Sequence, residues 1–440
     1  MSSAETGGFI AAPSHIGKFK VLIFALVILV VAEEIGATTF KLGPGSVTLL
    51  PMLWALLLAA ICGACHTSLP QPLSVDRPAQ VFAGAALNTG LLFFIVKMGL
   101  TVGPALPQVK AAGWALLFQE GGHFFGTLVL GLPLALLLGI KREAVGSTFS
   151  VGRETSLMII GDRYGLDSAE GRGVLAEYIT GTVLGAVFLA VLAGFIASLG
   201  IFDPRSLAMG AGVGSGSMMA AALGAIVTQT DPSSHGELTA IASAANLLTG
   251  VIGFYFTAFI SLPLCSWLYY RLEPILGRVS KPVSVDNGGL SSTDEHHGFT
   301  LPDMIGAWVF MCVGASLSNL LSWNVPLSTS LEGMLVITAF VALVSLLKMA
   351  LPRLPVLIVL SLAATGLSIP GLSPIIDTLV ATANKVNFLA LTTPALALAG
   401  FSVAKDLPIF RRLGWRIVVV SLTATAGTFL GAALIAEFFH

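Results

Sequence analysis

Two stretches of this chain hold residues able to bind ions and small solutes within otherwise apolar surroundings. The first, residues 146–161, reads GSTFSVGRETSLMIIG and gathers Ser150, Gly152, Arg153, Glu154, Thr155 and Ser156. A charge at the centre of a bilayer costs several kcal/mol, so ionisable residues there face a cavity or the bundle interior and mark a pathway. A helix broken at this point would free backbone groups and half-helix dipoles to hold a solute and its coupling ion. The competing reading puts Arg153 and Glu154 near the interface, snorkelling into water beside Lys141 and Arg142. The second stretch, residues 209–224, reads MGAGVGSGSMMAAALG and supplies Gly212, Gly214, Ser215, Gly216 and Ser217. Each glycine costs a helix about 1 kcal/mol relative to alanine, so this stretch should break or pack very closely. Close packing of small residues explains the glycines but not the two serines.

Further polar residues follow within apolar runs. Asn246 and Thr249 lie downstream of the second stretch, Thr392 and Thr393 interrupt a later run, and Glu177 with Tyr178 follows the first stretch. Glu120 and His123 share a helix face at i, i+3, which suits either a proton relay or an interhelical hydrogen bond. Glu33 and Glu34 read as solvated interface residues. Cys62, Cys65 and His66 form CxxCH, the pattern of covalent haem attachment, but the topology below puts it at the cytoplasmic end of a span. His296 and His297 lie in a polar loop without further ligands at metal spacing. No Gly-Lys-Ser/Thr follows the glycines, so they are no phosphate loop.

These residues must be positioned by membrane helices. The 440 residues are 55% hydrophobic and 10% charged, against a usual charged fraction of about 25%, and mean hydropathy is +0.91. The fold class is all-α and polytopic. A net charge of −1 gives no basic surface, which excludes nucleic acid as a partner. At about 20 residues per crossing, about thirteen candidate spans appear, at 19–36, 46–66, 82–103, 111–139, 144–164, 173–201, 206–229, 237–270, 301–322, 330–350, 354–370, 386–404 and 414–438, of which the Gly-rich 144–164 and 206–229 are read as discontinuous or re-entrant helices that either cross or turn back. If every span crosses once, Lys18, Lys20, Arg77, Lys141, Arg142, Arg205, Arg271 and Lys348 share one side. Lys41, Lys110 and the mixed-charge 162–172 loop take the other. The positive-inside rule then sets the N-terminus in the cytoplasm and the C-terminus in the periplasm of a bacterial inner membrane.

One unit occurs twice. Residues 98–114, MGLTVGPALPQVKAAGW, align without gaps on 399–415, AGFSVAKDLPIFRRLGW, matching Gly99 with Gly400, Pro107 with Pro408 and Trp114 with Trp415. The match continues at Gly126-Thr127 over Gly427-Thr428, and Leu50-Pro51 over Leu354-Pro355 extends the repeat to 20–139 and 330–438. The copies begin an odd number of spans apart, which predicts inverted repeats of the kind found in many secondary transporters. The organisation expected is a tail at 1–18, a first repeat block at 19–140, and a first discontinuous helix with its following span at 141–202. A second discontinuous helix and span at 203–274, a cytoplasmic loop at 275–300, and a connecting span with the second repeat block at 301–440 complete it.

The 98–114 unit resembles the MGLT-type turn of bile-acid and sodium symporter-like proteins. The 150–156 stretch and the glycines at 210–216 are similar to the broken helices of a superfamily spanning cation:proton antiporters, sodium:glutamate symporters and LrgB-like proteins. Over nearly the whole chain the sequence resembles an uncharacterised bacterial membrane family, the domain of unknown function numbered 3100. The resemblance implies two related halves and crossing discontinuous helices, and supplies no substrate. It departs from the superfamily plan in one respect: the span count gives the two Gly-rich elements the same direction, whereas an inverted pair should oppose.

The expected function is a secondary active transporter of a small carboxylate-type anion, coupled to Na⁺ or H⁺, and not an enzyme. Its alternatives are an LrgB-like export or regulatory protein and an intramembrane haem or redox protein. Ser150–Ser156 and Gly212–Ser217 are expected to approach one another, with Asn246, Thr249, Thr392 and Thr393 around them. No cofactor is expected, with Na⁺ allowed as coupling ion. The expected partners are the anionic solute and the lipid bilayer, with a homodimer allowed.

Overall fold

The computed structural model describes residues 15–68, 70, 74–152, 154–166, 168–212, 214–277, 300–350, 356–411 and 413–439. The chain runs α1 (His15–Ile35), a hairpin of β1 (Thr38–Leu42) and β2 (Gly45–Leu49), α2 (Pro51–Ala64), α3 (Arg77–Val102), α4 (Leu106–Ala111) and α5 (Gly113–Leu137). Two short helices follow, α6 (Glu143–Thr148) and α7 (Glu154–Arg163). Next comes α8 (Ala169–Thr180), continued through a π turn at Gly181–Gly185 into α9 (Ala186–Ser198). The same order recurs: short α10 (Pro204–Ala211) and α11 (Gly216–Val227), then α12 (His235–Phe256), continued through a π turn at Thr257–Ser261 into α13 (Leu262–Leu276). The rest are α14 (Leu301–Trp323), α15 (Leu327–Ala350), α16 (Val356–Leu367), α17 (Pro374–Asn384), α18 (Thr392–Phe410) and α19 (Trp415–Glu437).

The protein is helical and multi-pass in character. Six described helices are long and apolar enough to cross a membrane, or seven if Pro374–Asn384 and Leu389–Pro408, bent by 64°, form one broken span. The expected span at 46–66 is shorter than read: β2 pairs with β1 antiparallel, Thr38 opposite Leu49, and only Pro51–Ala64 is helical.

Helix starts follow local chemistry. Asp76 accepts from Ala79 N at 3.2 Å at the head of α3, and Ser168 accepts from Gly171 N at 2.9 Å before α8. Asp203 and Pro204 open α10, and Thr300 with Asp303 forms a capping box on α14.

The seam of the bundle is α5 against α19. A Cβ on Gly126 would lie 2.0 Å from Gly427 O, and one on Gly122 2.0 Å from Gly431 O, so small-xxx-small faces bring the two backbones into contact. The helices are antiparallel. Phe118 stacks on Phe439 at one end, with ring centroids 5.6 Å apart, and Arg416 donates to Leu138 O at 3.0 Å at the other.

The two ends of the bundle are marked by their polar contacts. At one, Lys141 bonds Glu273 at 2.6 Å and Gly277 O at 2.9 Å. At the other, Asp203 N bonds both oxygens of Glu437, at 3.2 and 3.0 Å. The residues left open whether 144–164 and 206–229 cross or re-enter, and these contacts bring each back to the end from which it starts. Arg142 at the head of α6 pairs with Glu170 at 2.6 Å, lies over the Tyr164 ring, and is followed by Glu143, which pairs with Arg172 at 2.8 Å. The start of α6, the end of α7 and the start of α8 therefore meet at the Lys141 end, so α6 and α7 form a hairpin that returns to where it began.

The second hairpin does the same from the Asp203 end. Gly210 of α10 packs on Phe429 O and Ala433 of α19, while α11 runs alongside α9, Met218 against Gly185 and Ala225 against Gly194. It ends beside Gln229, which bonds Thr48 at 3.4 Å. Arg205 consequently belongs to the Asp203 end, and Arg172 to the Lys141 end, the reverse of the sequence assignment. Two short half-helices joined by glycine can fold back; a straight count of apolar residues cannot tell return from crossing.

Candidate functional site

Glycine and serine make both hairpin tips. In the second, Gly212 closes α10, Gly214 takes φ +90°, a conformation that side-chain-bearing residues rarely adopt, and Ser215 caps α11 by accepting from Met218 N at 3.4 Å. Ser215 and Ser217 hydroxyls lie 3.1 Å apart. Asn246 of α12 holds this tip, donating to Gly212 O at 2.7 Å and Gly214 O at 3.2 Å. A Cβ on Gly212 would sit 2.5 Å from the Cβ of Ala245, so α10 approaches α12 as closely as backbone allows.

In the first tip, buried Ser150 accepts from Gly152 N at 3.0 Å, and exposed Thr155 donates to Gly152 O at 2.6 Å. Ser156 is buried and its hydroxyl has no partner among the described residues. Ser261, at the end of the second π turn, donates to Phe149 O. Arg153 and the side chain of Glu154 lie outside the described residues.

The sequence-selected residues thus divide. Phe149 and Val145 pack in one apolar cluster with α13, whereas Met209, Met218 and Ala245 pack in another with Phe94 and Phe429. The helices hold the two tips with different partners, Phe149 bonded by Ser261 and Gly212 by Asn246, and neither α6 nor α7 makes extended contact with α10 or α11. What they assemble is a site around the second tip. Asn246 bonds Gly212 and Gly214 there, Thr249 follows one turn on along α12, and Thr392 shares with Gly216 and Ser217 a gap of about 10 Å³, roughly the room of one water. Thr392 also donates to Leu389 O at 2.6 Å. Thr393 belongs elsewhere. Its hydroxyl lies 3.4 Å from that of Ser318, in a group where Ser318 and Ser322 both donate to Glu33, which is buried rather than solvated as the sequence suggested. Glu34 is exposed, as expected.

The site's acidic group was missed as part of this set. Glu120, 4% exposed, accepts from Thr249 Oγ1 at 2.6 Å and from Gln119 Nε2 at 2.7 Å on the same oxygen. Its other oxygen, Gln119 Oε1 and His123 Nδ1 are buried without hydrogen-bond partners among the described residues. The i, i+3 spacing of Glu120 and His123 was a usable local signal; the link from Glu120 to Thr249 spans far too much sequence to show in any local pattern.

The CxxCH residues sit at the end of α2, Cys65 exposed, Cys62 half-buried and His66 Nδ1 3.0 Å from Gly63 O.

A family model described as Protein of unknown function (DUF3100) matches residues 30–271, more than half of the chain. The chain belongs to this family. The matched region runs from α1 to the last turns of α13 and so contains both hairpins, both π turns and the Glu120 cluster. No curated protein and no solved structure matches the chain significantly.

Proposed function

We propose that this member of the family is a secondary active transporter of a small organic anion, coupled to Na⁺ or H⁺. One observation carries the reading: two helical hairpins enter the bundle from opposite ends, each with a glycine-broken tip and each followed by a long helix containing a π turn. Irregular backbone inside a membrane is tolerated where it lines a cavity or is buried in protein, and paired broken elements of opposite direction are the frame on which transporters alternate access. The start of α11, with half-buried Gly216 and Ser217, offers amide groups suited to a carboxylate.

On this reading the thirteen apolar stretches become eleven crossings and two re-entrant hairpins, which also restores the opposed directions that a simple count denied. An inverted repeat is supported by equivalent contacts. Gly126 and Gly427 are equivalent residues of the two blocks, and each touches the other. A residue meets its own counterpart only near the axis relating two copies, and since α5 and α19 are antiparallel there, that axis lies across the helices, in the membrane plane. Gly103 presses on Ser368 just beyond α16, and its counterpart Ala404 presses on Gly63 of α2. The Lys141 end, which also gathers Lys20, Arg142, Arg172 and Arg416, is the cytoplasmic one by the positive-inside rule.

The test begins with a thermal-shift screen of carboxylates with and without Na⁺, since a ligand bound by the native state raises Tm. Uptake of any hit into proteoliposomes follows. Ser215→Ala and Arg153→Ala are each expected to abolish uptake while leaving a folded protein; uptake at the wild-type rate by both would remove the site from these tips.

A further inference from the structure

Resting on the transport reading for its role, we infer that Glu120 is the proton-carrying group of the coupled cycle, loaded through the pocket at the Asp203 end. Glu120 is buried about two turns into α5 with one oxygen bonded by Thr249 and Gln119 and the other bonded by nothing among the described residues. A carboxylate held in apolar surroundings without a cation costs several kcal/mol, and binding a proton at the open oxygen removes that charge. Among the described residues no cation is paired with it. Of the described charged groups on helices packed against α5, Arg205, Asp203, Glu237 and Glu437 stand at the Asp203 end, and Glu143, Arg271, Glu273 and Arg416 at the Lys141 end. Tyr255, Cys265, Tyr269 and Tyr270 lie farther along α12 and α13. His123, with a buried and unpartnered Nδ1, is the titratable group one turn from Glu120 on its own helix.

A pocket of about 440 Å³ opens between α5, α10 and α12, lined by Trp114, Ala115, Arg205, Glu237 and Ile241. Gln119 is one turn below Ala115 on α5, and Ala245 one turn below Ile241 on α12, so the pocket stops about one helical turn above the Glu120–Thr249 pair, with buried Gln119 and Ala245 between them. Thr249 has a single hydroxyl hydrogen and two acceptors in reach, Glu120 Oε1 at 2.6 Å and Ala245 O at 3.0 Å. Charged Glu120 holds that hydrogen; protonated Glu120 releases it to Ala245. The same turn of α12 carries Ala245 against Gly212 and Asn246 bonded to the hairpin tip. The protonation state of Glu120 is thereby read at the segment proposed to bind the solute.

The test uses the full-length protein in lipid nanodiscs with no solute. Dicyclohexylcarbodiimide, which attacks protonated carboxyl groups in apolar surroundings, is added at a series of pH values and the modified residue is located by mass spectrometry. Glu120 is expected to be modified several-fold faster in acid than in alkali, equally in sodium and in choline chloride, and Glu120→Gln to lose that adduct. In Thr249→Val, which removes the hydrogen bond favouring the charged form, modification should persist to higher pH. Failure to modify Glu120 at any pH, a rate that does not vary with pH, or protection by sodium would overturn the proposal, the last indicating a sodium site. These readouts need no transport, so an absence of uptake with pH-dependent modification intact would sink the transport reading alone.

Discussion

Gly126 and Gly427 meet backbone to backbone: a Cβ on the first would lie 2.0 Å from the carbonyl oxygen of the second, and a Cβ on the second 2.3 Å from that of the first. Gly126→Ala and Gly427→Ala are each expected to lower stability by about 1–3 kcal/mol, the usual range for overpacking. Gly121→Ala is the control. Its Cβ would meet nothing within 4 Å, so the exchange should be neutral or stabilising by up to about 1 kcal/mol through helix propensity. Thermal unfolding in detergent measures all three, and equal Tm values for Gly126→Ala and Gly121→Ala would contradict the seam.

The hairpins make opposite predictions for accessibility. In a background without Cys62, Cys65, Cys265 and Cys312, exposed Thr228→Cys should react with a membrane-impermeant thiol reagent added outside intact cells. Exposed Arg163→Cys should react only after permeabilisation. Labelling of Arg163→Cys from outside would mean that the first hairpin crosses after all.

The termini give an independent check on the odd number of crossings. A reporter active only in the cytoplasm should work when fused before residue 1 and fail when fused after His440; activity of the C-terminal fusion would require an even number.

Among the described residues Asn246 is the side chain that bonds both carbonyls flanking the bend of the second tip. Asn246→Ala leaves Gly212 O and Gly214 O without their donor, which should cost about 1–3 kcal/mol. Solute-induced thermal shifts should vanish in this variant while the protein stays monodisperse. An unchanged shift would place solute binding away from this tip.

The apolar runs, the glycine-rich breaks within 146–161 and 209–224 and the likeness of 98–114 to 399–415 were all legible in the residues themselves. Each rests on interactions within a few positions of chain, or on identity at fixed spacing, and neither needs the rest of the fold. Whether the two hairpins cross or return was left open by the residues. A six- or eight-residue half-helix is apolar whether the chain beyond it goes forward or back, and what decided the matter was Arg142 meeting Glu170 and Asp203 meeting Glu437. The same holds for the site. Glu120 was visible as an acid on an apolar face, but that Thr249 bonds it, that Asn246 beside Thr249 grips the Gly212 tip, and that Thr393 sits instead with Glu33 are consequences of helices far apart in sequence packing together. Local sequence specified which groups the membrane would have to accommodate; tertiary packing specified which of them share one polar environment, because a buried polar atom is satisfied by whatever helix the fold brings beside it.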